Sequence, residues 1–217
     1  MSDFLEATAF IDSDDAGVRA FAAEAGAGAA DEKSRAIALY RAVRDRIVYD
    51  PYLDYTDPDV FRASAVLAGG RGFCAGKSSL LAACARAAGI WARVGFADVR
   101  NHLTSKRLRD LVGGDTFRWH SYTELQIEGR WVKCTPAFDA ALCERASIAP
   151  LEFDGEHDSL FHPFDAAGRR HMEYLQDRGA FADPPVEAIV ADFRKHYPKL
   201  MASGRAGGDF RKEVIAR

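Results

Sequence analysis

Cysteine is scarce: Cys74, Cys84, Cys134 and Cys143 are the only four in 217 residues, and no C-x-x-C occurs. A disulfide scaffold and a zinc ribbon are therefore disfavoured, and the four are expected to be thiols in a reducing compartment. Charge of one sign is missing too. Lys plus Arg number 29 against 32 Asp plus Glu, a net of −3, so no global field draws the chain to nucleic acid or an anionic membrane. No run reaches the about 18 apolar residues that signal a bilayer span, since the best, 78 to 90, is short and broken by Arg86. The first residues carry Asp3 and Glu6 rather than a basic stretch, which argues against a secretory signal and for a cytoplasmic address. Repeats and low-complexity tracts are absent, and the length suits one domain spanning 1–217.

What is present is helical in the first half. Ala36, Leu39, Tyr40, Val43 and Ile47 make an apolar stripe between Asp31 and Asp50. Gly69, Gly70 and Gly72 form a tight loop, and the segment from Cys74 to Ala88 reads as a buried helix ended by Gly89. Residues 90 to 97 alternate like a strand, and 119 to 127 and 130 to 135 read as a hairpin closed by Glu128-Gly129. The polar stretch from 98 to 118, with a weak helical piece at 103 to 111, is long enough to be a flap. Residues 136 to 180 look loop-like, and Pro184-Pro185 introduces an amphipathic helix through Tyr197.

Cys74 stands apart from the other thiols. It follows the glycine loop and opens a buried helix, where unpaired N–H groups and the helix dipole favour a thiolate nucleophile. Cys84 lies on an apolar helix face, Cys134 in a strand, and Cys143 after Ala141-Leu142, positions that suit inert core thiols. Of the six histidines, His120 is the one in a strand. A two-residue turn pairs Ile127 with Arg130 and, counting outward, His120 with Ala137. Thr135 and Asp139 then become diagonal neighbours at about 7 to 8 Å, although Pro136 weakens the pairing. A carboxylate there would orient the imidazole; the plainer use of Asp139 is to cap a loop.

Gly70-x-Gly72-x-Cys74, the block from Arg86 to Val94, and His120-Ser-Tyr-Thr-Glu124 with Gly129-Arg-Trp131-Val132 resemble the transglutaminase-like superfamily, over roughly residues 31 to 139. The resemblance implies an α+β, papain-like fold, with a buried nucleophile helix packed on an antiparallel sheet and residues 140–217 as a carboxyl-terminal extension on that core. It implies Cys74 as nucleophile and His120 as its partner, in the branch of microbial cysteine proteases and amidases. One position departs: where the family carries its catalytic Asp, just before a Pro, this chain has Thr135. A threonine hydroxyl brings no charge, so Asp139 is the candidate substitute and Thr135 the alternative orienting residue. The expected activity is cysteine-dependent acyl chemistry on an amide or peptide bond, with hydrolysis favoured over cross-linking. The rival is a catalytically quiet domain of the same fold that binds peptide or protein.

Other motifs fail on spacing. Gly76-Lys77-Ser78 ends like a phosphate-binding loop, but the first glycine would fall on Arg71. His157, His162 and His171, among Glu152, Asp154, Glu156, Asp158 and Asp165, contain no i, i+4 pair on a helix, so no metal is expected. No cofactor, nucleic-acid or membrane partner is indicated; the partner is a peptide, protein or small amide substrate.

Overall fold

The computed structural model describes residues 2–102, 104–161, 164, 168 and 171–213. Helices α1 (Ala16–Ala25), α2 (Glu32–Arg46) and α3 (Ala63–Gly69) precede the long helix α4 (Cys74–Ala87). Asp15 and Asp31 cap α1 and α2, the latter in a reciprocal capping box with Ser34. A two-stranded parallel pair, β1 (Val48–Tyr49) and β2 (Arg71–Gly72), ties the end of α2 to the glycine loop just before Cys74.

The main sheet is antiparallel in the order β5-β4-β3-β6: β5 (Arg130–Cys134), β4 (Thr116–Ile127), β3 (Ala92–Asn101) and β6 (Met172–Phe181). Between β3 and β4 lies α5 (Lys106–Val112), and α6 (Ala140–Ala146) follows β5. Helices α7 (Val186–His196), α8 (Pro198–Ala202) and α9 (Phe210–Glu213) complete the described chain. Among the described residues, no helix is long and apolar enough to cross a membrane.

Helix α4 packs on β4 and β3 on one side and on α1, α2 and α3 on the other. Every residue from Cys74 to Arg86 is accordingly buried, as a helix enclosed all round must be. Its small residues permit this: a Cβ on Gly76 would lie 2.4 Å from the Val60 carbonyl oxygen. Two cations are enclosed with it. The Lys77 ammonium donates to the carbonyls of Arg44 and Ile47 at 2.8 and 2.6 Å, closing the carboxyl end of α2. Arg86 donates to the carbonyls of Ala92, Glu6 and Ala182, joining the other end of α4 to the start of β3 and the chain after β6.

Three expectations need correction. The strand from residue 90 runs on to Asn101 and β4 begins at Thr116, so the flap shrinks to the turn and helix between them. The loop-like stretch 136 to 180 contains α6 and most of β6, which forms a sheet edge. Strand β6 is largely exposed and carries Gly179 at positive φ, so it lacks the alternating apolar pattern by which a strand is recognised. The hairpin register matches its prediction from Ile127↔Arg130 to Thr123↔Cys134, with Glu128 and Gly129 both at positive φ. Beyond Cys134 the predicted pairing is not formed. Thr135 N–H donates to the Ser159 carbonyl, and Pro136 has no N–H to offer, so Ala137 never comes opposite His120.

Candidate active site

Cys74 opens α4, whose preceding residue Phe73 supplies no side-chain cap. The first N–H groups of the helix are thus left for the thiol. Burial nonetheless dominates, pushing the Cys74 thiol up to about 11, with the backbone N–H groups of Ser121, Ala75 and Cys74 pulling the other way. The thiolate expected from helix position alone is therefore not favoured in this closed arrangement. Desolvation outweighs the dipole.

His120 sits on β4, one residue after a bulge. Ala97 pairs with His120 and Val99 with Phe117, so Arg118 and Trp119 together oppose Asp98. Trp119 adopts φ +58°, a strained left-handed conformation for a bulky residue. The buried Asp98 carboxylate secures it, accepting from Trp119 N–H at 3.1 Å, from Arg118 at 3.2 Å, and from Arg178 at 2.5 and 2.9 Å. Arg178 also covers the Trp119 ring, 4.4 Å from its centre, and Asp192 accepts from the indole N–H. The sequence places Asp98 in the polar stretch after the strand rather than inside it, so nothing local marks it as the support of a bulge opposite.

The imidazole of His120 lies 5.1 Å from the Phe161 ring centre, and its Nε2 is buried with no hydrogen-bond partner among the described residues. Burial, and then the neighbouring His171, hold His120 down at about 4. It is a neutral base. Cys74 and His120 line one cavity of about 60 Å³, together with Tyr49, Tyr55, Phe73 and Trp119. The structure thus brings together the two residues predicted to act as a pair, as neutral thiol and neutral imidazole rather than as ions.

The two candidates for the third position are placed differently. Asp139 is the N-cap of α6, accepting from Leu142 N–H at 3.0 Å, and it also accepts from Tyr49 N–H and from Arg211 at 2.7 Å. No hydrogen bond or ion pair joins it to His120 among the described residues, and its capping use is the one the chain adopts. Thr135 is buried, and its hydroxyl makes no hydrogen bond of full geometry. Beside it is a residue that sequence did not suggest. Tyr174 on β6 has a half-exposed ring, but its hydroxyl reaches inside toward the Thr135 side chain and the Phe161 backbone, where burial raises its pKa. Tyr174 carries no signal in the sequence because β6 lacks the alternating apolar pattern of a strand.

Of the other histidine-rich positions, His157 pairs with Asp154 at 2.8 Å, and His171 packs against Phe138 and Phe161. His162 and Asp165 lie outside the described residues. Among the described residues, no group of three or more His, Cys, Asp or Glu could hold a metal ion.

Comparison with known proteins agrees with this fold. A crystal structure from Cytophaga hutchinsonii, named "Putative Cysteine Protease", superposes with a TM-score of 0.51 at 17% identity, over 86% of this chain and 48% of that one. This chain therefore spans about half the length of that protein, and the likeness is one of fold. No curated protein sequence matches. The family model of the transglutaminase-like superfamily matches residues 19–136, more than half the chain, including the Cys74 helix and the His120 strand, and the chain belongs to that superfamily.

Proposed function

We propose that this protein is a thiol hydrolase that cleaves an amide or peptide bond through an acyl-enzyme on Cys74. The observation that carries this reading is that Cys74, at the uncapped start of α4, and His120, on β4, line one apolar cavity. Nε2 of His120, without a partner among the described residues, takes the thiol proton as Sγ attacks the carbonyl carbon. The backbone N–H of Cys74 helps hold the tetrahedral oxyanion. His120 then returns the proton to the leaving amine, and in the second half it draws a proton from water as water attacks the thioester. With Asp139 engaged by Arg211 and the family's acidic position held by Thr135, His120 is oriented by packing against Phe161 rather than by a carboxylate. Hydrolysis is favoured over cross-linking because water is the default acceptor. Four free thiols fit a reducing, cytoplasmic setting.

One observation favours the rival reading of a quiet peptide-binding domain: both reactive groups are enclosed, where burial disfavours their charged forms, and no carboxylate pairs with His120 among the described residues. A single experiment separates the two. The protein is incubated with a panel of acyl-arylamides and short peptides, quenched in acid and mass-mapped. Acylation of Cys74 in wild type, lost in Cys74→Ala and strongly reduced in His120→Ala, is expected. Turnover that survives Cys74→Ala excludes covalent catalysis, and peptide binding with no acylation of Cys74 by any amide establishes the binding domain.

A further inference from the structure

The cavity at Cys74 is closed in part by the carboxyl-terminal helix. After α8 the chain passes through Gly204, Gly207 and Gly208, all at positive φ, a connection with few side chains to fix it. It then places Phe210 in the wall of the cavity that Cys74 and His120 share. The Phe210 ring meets Tyr49 and Tyr52 edge to face, at 5.6 and 6.1 Å between centres. Next to it, Arg211 reaches the buried Asp139 carboxylate at 2.7 Å, while its own Nε is buried without a partner among the described residues. Glu213 accepts from Tyr52 and Ser105 and pairs with Arg107 of α5.

Two features set this apart from ordinary core packing. The described part of the helix, Phe210–Glu213, stands on a glycine-rich tether that is anchored through Arg107 to the Ala206 carbonyl, and its own side chains supply the remaining contacts. The unsatisfied Arg211 donor also makes its fit imperfect. Asp139, for its part, is nearly inaccessible, and removing Arg211 would leave a buried carboxylate without its ion-pair partner, with the charge of the buried Lys77 acting on it only through space. An incoming group that displaces the helix at low cost must bring a cation for Asp139 and an apolar ring for the space of Phe210.

We propose that the segment 207–213 is a built-in occupant of the Cys74 site, and that the substrate is a peptide or amide bearing an aromatic group beside a cation, which takes the places of Phe210 and Arg211. This deepens the reading of Cys74 as nucleophile and rests on it for the word substrate, but occupancy itself can be measured without turnover. The full chain is treated with iodoacetamide and the four cysteines are mass-mapped, with Cys84, Cys134 and Cys143 as internal references. Phe210→Ala, which removes the plug, and Arg211→Gln, which keeps the aromatic packing and loses the cation, are compared with wild type.

Cys74 alkylation is expected to rise about ten-fold or more in Phe210→Ala, and by a smaller factor in Arg211→Gln, with the reference thiols unchanged. The pentapeptide Asp-Phe-Arg-Lys-Glu should slow Cys74 labelling in both variants, and the same peptide with Ala for Phe should not. Unchanged Cys74 labelling in both variants, an equal rise at all four thiols, or equal protection by the two peptides would overturn the proposal. Because labelling needs no catalysis, an inert but plugged domain and an active but unplugged enzyme give different results.

Discussion

Asp98→Asn tests whether the bulge before His120 is held by the charge opposite it. Asp98 has a side chain 4% exposed and receives four donor contacts from Trp119, Arg118 and Arg178. Asparagine keeps the shape and one acceptor for Trp119 N–H, but turns an N–H₂ toward a guanidinium. Breaking a buried pair costs about 3–5 kcal/mol in full. Here Arg178 retains Asp192 at 3.1 Å, and Arg118, 30% exposed, can turn to water, so about 2–3 kcal/mol is expected. With the support weakened, the left-handed Trp119, which itself stores about 1–2 kcal/mol, can relax and carry His120 with it. The assay is urea unfolding followed by tryptophan emission. At a slope of about 2 kcal/mol/M the midpoint should fall by about 1 M, and Cys74 acylation by about 10- to 100-fold. A midpoint moved by less than about 0.25 M would refute the claim that Asp98 holds the bulge. A full stability loss with unchanged acylation would refute the claim that the bulge positions His120.

Two further outcomes follow from burial. His120 is held at about 4 in the folded protein against an ordinary value near 6.5, so below pH 6.5 the unfolded chain binds a proton that the folded chain refuses. Its contribution is flat above pH 6.5 and lowers stability as pH falls from 6.5 to 4, by about 3 kcal/mol at most. His120→Gln should flatten that part of the stability-against-pH curve, and a variant whose curve matches wild type would show that His120 is not buried neutral. Gly76→Ala should destabilise by about 2 kcal/mol or more despite the better helix propensity of alanine, because the Val60 carbonyl cannot move away without shifting backbone; a neutral or stabilising effect on thermal melting would contradict that close approach.

The glycine loop before Cys74, the small-residue helix after it, and the Glu128-Gly129 turn are local features, and local chemistry determines them. A thiol at the start of a buried helix and a histidine in the strand before that hairpin were therefore legible from the chain alone, and so was the register of β4 with β5. Tertiary structure decided the rest. Whether Asp139 reaches His120 depended on the strand continuing past Pro136; it departs toward Ser159 instead, and Asp139 is taken by α6, Tyr49 and Arg211. The charge state of the Cys74 and His120 pair could not be read from helix position, because desolvation is set by what covers the site. Phe210 contributes to that cover from 136 positions away in sequence. The bulge at Trp119, fixed by Asp98 and Arg178 from two other strands, has no local signature, since its stabilising charges meet only when β3, β4 and β6 lie side by side.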